Sequence, residues 1–196
     1  MDVVVTGLTF GTIFLVELPD KTFIATLVLS TRFRPLFVWI GVGLAFAVQT
    51  TVAVALGSAA SLLPTDVVRG LALAMFLIGA GLLFREGRAH AEADGEEFVE
   101  RAGEAHGAKV IVTSFLVLFA AEWGDLSQLL TLTLVARYED PVSVFLGALA
   151  ALLAVSGLAV LVGRALLRRV PLHVLHYAGA GVCLLIAGLT AWELLS

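Results

Sequence analysis

Glu17-Leu18-Pro19-Asp20-Lys21-Thr22 and Glu122-Trp123-Gly124-Asp125-Leu126-Ser127-Gln128 are two acidic clusters near the middle of two long apolar segments. In each, a glutamate is followed three residues later by an aspartate, and a hydroxyl comes two residues after that. A carboxylate at the centre of a bilayer costs on the order of 2.5–3.5 kcal/mol or more. Four of them in one small chain need compensation, and a cation held inside the membrane supplies it.

The rest of the chain sets the clusters in hydrocarbon. Of 196 residues, 60% are hydrophobic and only 14% charged, and mean hydropathy is +1.02. Soluble domains are about 45–50% apolar and about 25% charged. Long apolar runs without alternation argue against an outer-membrane barrel. The expected class is therefore an all-α integral membrane protein, with the lipid bilayer as its surroundings and no nucleic-acid partner. The net charge of −4 says little, because most of the acid lies in one loop and in the two clusters. One cysteine, Cys183, excludes a disulfide within the chain and cysteine-pair redox chemistry. The N-terminus lacks the basic region of a signal peptide, so the first apolar segment reads as a retained span.

A span needs about 20 mostly apolar residues. Six transmembrane helices are expected, at about 3–29, 36–63, 67–84, 110–135, 142–163 and 173–195. Proline and charge separate them at Arg32-Phe33-Arg34-Pro35, Pro64-Thr65-Asp66, Tyr138-Glu139-Asp140-Pro141 and Arg168-Arg169-Val170-Pro171. The one long hydrophilic loop, 85–109, holds Glu86, Glu92, Asp94, Glu96, Glu97, Glu100 and Glu104. It reads as a solvated linker, with cation attraction or regulation as the other possibility. Arg32, Arg34, Arg85, Arg88, Arg101, Lys109, Arg164, Arg168 and Arg169 fall on one side, against Arg69 and Arg137 on the other. The positive-inside rule then puts both termini outside and the 85–109 loop in the cytoplasm of a cell inner (plasma) membrane.

The halves repeat. With Glu17 placed on Glu122, Asp20 falls on Asp125, Thr22 on Ser127, Thr26 on Thr131 and Arg32 on Arg137. One inserted residue later, Gly41 meets Gly147 and Gly57 meets Gly163. The expected organisation is a first three-helix repeat at 1–84, the acidic loop at 85–109 and a second three-helix repeat at 110–196. Three spans per half turn the second half upside down. This is the inverted-repeat plan of secondary transporters, whose sites lie at the midplane.

Residues three apart share a helix face. If the two cluster-bearing spans cross, Glu17, Asp20, Glu122 and Asp125 converge, with Thr22, Ser127 and Gln128 as neutral oxygens. Pro19 should kink its helix, and Gly124 should weaken the matching place. Hard oxygen donors suit Ca2+, Mn2+ or Mg2+ rather than copper or zinc. Four carboxylates against Lys21 leave a negative site that one divalent ion nearly neutralises. Emptied, it should take up protons, because low dielectric and like charges favour the neutral carboxyl. Glu17, Asp20, Glu122, Asp125 and Lys21 are therefore the candidates for proton coupling and gating.

Blander roles compete. The acids could fix helix packing, and Glu17 with Lys21 has the spacing of an ion pair. Gly7 and Gly11, with Gly79, Gly81, Gly179 and Gly181, read as helix-packing contacts. Gln49 and Ser156 read as helix-to-helix hydrogen bonds or as lining of the substrate path. His173 and His176 suit the interface, and His90 and His106 carry no signal.

These motifs resemble the Gdt family of manganese/calcium–proton exchangers, known in bacteria, chloroplasts and the Golgi. Its hallmark is Glu-x-Gly-Asp-(Lys/Arg)-(Ser/Thr), once in each three-helix half. Glu122-Trp123-Gly124-Asp125-x-Ser127 is similar to one copy, and Glu17-Leu18-x-Asp20-Lys21-Thr22 to the other. Pro19 stands where the family has glycine, and Leu126 where it has a basic residue. The resemblance implies export of divalent cations, manganese favoured and calcium possible, with protons as the counter-substrate, no bound cofactor and no enzymatic reaction. Rival readings are an exporter of a cationic amino acid or other small solute, and a structural membrane subunit. An aspartyl intramembrane protease would need a Gly-x-Gly-Asp pattern that the clusters lack.

Overall fold

The computed structural model describes residues 1–18, 20–62, 64–86, 105–169 and 172–195. Every element among them is a helix: α1 (Val3–Glu17), α2 (Lys21–Arg32), α3 (Pro35–Ala60), α4 (Thr65–Glu86), α5 (Lys109–Ala121), α6 (Leu126–Tyr138), α7 (Pro141–Arg169) and α8 (Leu172–Leu195). Pro19 and the acidic stretch 87–104 lie outside the described residues. So do the side chains of Lys21, His173 and His176, and with them the expected kink at Pro19 and the Glu17–Lys21 pair.

Local chemistry sets the helix ends. Asp2 caps α1, its carboxylate accepting from the Val4 and Val5 N–H groups. Pro35 and Pro141 open α3 and α7, where a missing N–H costs nothing. Glu139, at φ 52°, closes α6. Asp140 accepts from the Ser143 N–H at 3.1 Å and the Ser143 hydroxyl at 2.6 Å, holding the start of α7.

Among the described residues two helices, Pro35–Ala60 and Pro141–Leu161, are each long and apolar enough to cross a membrane. The count rises to four if the bent pairs α1–α2 and α5–α6 each form one span. Within α4 and α8 the apolar stretches are Leu73–Leu82 and Cys183–Trp192. The surface matches a lipid environment: Leu8, Leu44, Leu56, Leu116, Leu161, Leu185 and Leu189 are all half exposed or more. Thr9, Glu17, Thr22, Gln49, Ser114 and Glu122 are buried. Polar groups inside and leucines outside reverse the order of a soluble protein.

The long helix of each half packs on the broken helices of the other, α3 along α5 and α6, and α7 along α1 and α2. Glycines permit the crossings. A Cβ on Gly41 would lie 2.4 Å from the Ile111 carbonyl oxygen and 2.9 Å from Ser114 Cβ. A Cβ on Gly147 would lie 2.5 Å from the Thr6 carbonyl oxygen and 2.9 Å from Thr9 Cβ. These contacts exchange under the register that pairs Glu17 with Glu122. Gly57 approaches Leu132 and Val135 of α6 in the same way.

The packing expected of Gly7, Gly11, Gly81 and Gly181 is not found: a Cβ at any of them would meet nothing within 4 Å. Their spacing makes a smooth face, but no described helix covers it. Gly79 does pack, against Leu126. Gln49 bonds across helices, its amide donating to the Phe119 carbonyl at 3.1 Å. Ser156 instead donates to carbonyls of its own helix, Leu152 and Leu153.

Candidate metal centre

Both cluster-bearing segments break at their acids. The α1 and α2 axes differ by 69°, and those of α5 and α6 by 72°. Glu17 is the last residue of α1, and Glu122 follows the last residue of α5. Asp20 and Asp125 directly precede α2 and α6. The turns match: the Asp20 N–H donates to the Glu17 carbonyl at 3.1 Å, and the Asp125 N–H to the Glu122 carbonyl at 3.2 Å.

In the second turn Gly124 sits at φ +78°, a left-handed conformation open to glycine and strained for other residues. It does more than weaken a continuous helix, because the chain changes direction there. Its N–H donates to Gln128 Oε1 at 2.7 Å. Gln128, expected among the ligand oxygens, thus uses its carbonyl oxygen to close the turn. Gln49 takes up the Phe119 carbonyl, which lies one turn before the break.

The two breaks bring four carboxylates together. One oxygen each from Glu17, Asp20, Glu122 and Asp125 lie within 4.8 Å of one another. Oxygens bound to one Ca2+ at about 2.3–2.6 Å can stand at most about 4.6–5.2 Å apart, so the spacing suits a shared ion. Glu17 and Glu122 are sealed from solvent, whereas Asp20 and Asp125 are half-buried. The Thr22 and Ser127 hydroxyls approach the Glu17 carboxylate. Neither Glu17 oxygen closes a hydrogen bond, and neither does the Thr22 hydroxyl. Buried acceptors in that condition are costly unless a cation or proton meets them.

Helix ends reinforce the arrangement. The negative ends of α1 and α5 point at the cluster and favour a cation, while the positive ends of α2 and α6 lie beside Asp20 and Asp125. A cavity of about 160 Å³ reaches the two aspartates, walled by Met75, Ile78 and Leu82 of α4 and by Leu126 and Leu129 of α6. The α4 wall was hidden in the sequence, since its residues are ordinary span leucines and their kin. Leu126 packs against Gly79 of α4.

Comparison with known proteins adds an independent line. The sequence profile described as divalent cation/proton antiporter GDT1 matches residues 5–91 and 110–196. A Vibrio cholerae protein named "Putative manganese exporter" is 31% identical over 191 residues, covering 96% of this chain and 90% of that protein. GDT1-like protein sll0615 of Synechocystis is 36% identical over 132 residues, 61% of this chain and 64% of its own length. The chloroplastic protein PAM71 of Arabidopsis thaliana is 31% identical across 95% of this chain, which spans only 56% of that longer protein. No solved structure is a significant match.

Proposed function

The chain belongs to the GDT1 family of transporters, and from that premise we propose that it exports divalent cations from the cytoplasm in exchange for protons. Manganese is the favoured substrate and calcium the second. The observation that carries this reading is the meeting of Glu17, Asp20, Glu122 and Asp125 at two matched helix breaks. The manganese-exporter name of the Vibrio cholerae relative supports the choice of ion.

Six spans form two inverted three-helix repeats, 1–84 and 110–196, with the 85–109 loop cytoplasmic and both termini outside. The exchange of the Gly41 and Gly147 contacts between halves supports that symmetry. The ion binds the four carboxylates, with Thr22 and Ser127 as neutral oxygens. Its departure leaves like charges in a water-poor site, and protons on the same carboxylates relieve them. Metal and protons therefore alternate on one set of oxygens. Lys21 offsets part of the charge on the first half.

The test is flux in proteoliposomes under an imposed pH gradient. Manganese should move against the protons, Glu17→Gln and Glu122→Gln should stop it, and radioactive lysine should not move. Lysine flux without manganese flux would favour an amino-acid exporter. Manganese flux indifferent to the pH gradient would remove the coupling.

A further inference from the structure

At the end of the bundle where α2 turns into α3, a cavity of about 580 Å³ opens between Arg32, Arg34 and Phe37 on one side and His106 and Gly107 on the other. We propose that this cavity binds a phosphate-class anion, either the phosphodiester headgroup of an anionic lipid or a free phosphate. The proposal does not depend on which ion the acidic centre carries.

The opposite end of the molecule shows what the space lacks. There α1 and α7 begin side by side, and two carboxylates fill the gap between their starts. Asp2 caps α1, and Asp140 caps α7. The Asp2 N–H donates to Asp140 Oδ2 at 3.1 Å and to the Ser143 hydroxyl at 2.7 Å, joining the two helix starts. The Met1 ammonium lies 3.7 Å from Asp140.

The repeat register maps each of these residues to the cavity. Asp2 corresponds to Gly107, Asp140 to Arg34 and Ser143 to Phe37. Here α5 and α3 are the helices that begin side by side, and neither has a side-chain cap. Both carboxylates of one end are thus absent from the other, and an arginine stands in place of one of them. Arg137, the counterpart of Arg32, donates to the Thr190 hydroxyl. Arg32 instead faces the cavity, and among the described residues no acid pairs with it or with Arg34. Arg34 rests over the Phe37 ring, 5.9 Å from its centroid, which holds it at the rim.

Two helix N-termini, two guanidinium groups and, among the described residues, no acid in the wall make a site for a doubly coordinated anion. Helix N-termini favour negative charge, and the planar guanidinium matches phosphate oxygens two at a time. Exposed Leu36 beside the arginines places the cavity at the edge of the apolar surface, within reach of lipid headgroups. An anion here would tie the α2–α3 turn to the start of α5, as Asp2 and Asp140 tie α1 to α7.

The experiment compares thermal unfolding of the full chain in nanodiscs of phosphatidylcholine alone and with phosphatidylglycerol added, and in uncharged detergent with and without inorganic phosphate. Phosphatidylglycerol should raise the wild-type midpoint by about 2–4 °C. The Arg32→Gln/Arg34→Gln double variant should lose that rise, and Arg137→Gln should keep it. A rise with phosphate in detergent assigns the site to a soluble ion, and a rise with phosphatidylglycerol alone assigns it to lipid. Native mass spectrometry of the wild-type chain should retain phosphatidylglycerol over phosphatidylcholine, a reading that needs no variant. Equal wild-type midpoints in all conditions with no retained anion, or a double variant that keeps the full rise, would overturn the proposal.

Discussion

Replacing Gly41 with alanine tests how tightly the two halves are held around the acids. The added Cβ would lie 2.4 Å from the Ile111 carbonyl oxygen, 2.9 Å from Ser114 Cβ and 3.1 Å from the Ile111 carbonyl carbon. Two of these three atoms are backbone and cannot rotate away. Normal contact needs a separation of about 3.5 Å, so α3 and α5 must part locally by roughly an ångström. Overpacking of this kind costs about 1–3 kcal/mol. The displacement matters more than the energy. α5 carries Glu122 at its end, and the four carboxylate oxygens of the proposed site already span up to 4.8 Å. Even a shared Ca2+ tolerates at most about 5.2 Å, so there is at most a few tenths of an ångström of slack, and less for a smaller cation. Gly41→Ala should therefore lower the unfolding midpoint by about 2–10 °C and weaken manganese binding by about tenfold or more. Thermal unfolding in detergent and calorimetric titration with Mn2+ read the two effects. A variant with wild-type midpoint and wild-type affinity would refute the close crossing and the link from it to the acids.

Other changes separate strain, hydrogen bonding and charge. Gly124→Ala meets no neighbour within 4 Å but must hold φ +78°, so a loss of about 1–2 kcal/mol is expected from backbone strain alone. Denaturant unfolding checks it, and Gly124→Asn should lose less. Gln49→Leu strands the Phe119 carbonyl and should cost about 0.5–2 kcal/mol. Its manganese affinity should fall as well, since the carbonyl anchors the end of α5. The Asp140 carboxyl is held below its ordinary range, first by the Ser143 hydroxyl and then by the Ser143 N–H. A depressed carboxyl stabilises the fold above its unfolded value and loses that contribution as pH falls through the folded value. Wild type should therefore lose stability on acidification below the ordinary carboxylate range in a component that Asp140→Asn lacks. Unfolding midpoints measured across that range decide it.

Much of this arrangement was legible in the sequence because intramembrane charge is rare and expensive. Glu17, Asp20, Glu122 and Asp125 stood out for that reason, and their equal spacing pointed to two matched helix breaks, which the bends at both clusters bear out. An interruption beside each pair followed from Pro19 and Gly124. Gln128 also closes the turn through its carbonyl oxygen, a role that only the backbone path reveals. Gly79 packs as its spacing suggested, whereas Gly7, Gly11, Gly81 and Gly181 do not. Gly7 and Gly11 have the spacing of a helix contact, but whether another helix covers a face depends on the tertiary arrangement. Gly41 and Gly147 carry the contact instead, and only their partners, Ile111 and Thr6, make that visible. His106 sits in a polar stretch that gives no sign of the cavity beside it.

The most direct test of the acidic centre is anomalous diffraction at the manganese edge from crystals of the chain grown with Mn2+. One peak should lie within about 2–3 Å of a carboxylate oxygen from each of Glu17, Asp20, Glu122 and Asp125. A manganese peak elsewhere, or one touching acids of a single half, would contradict the shared site.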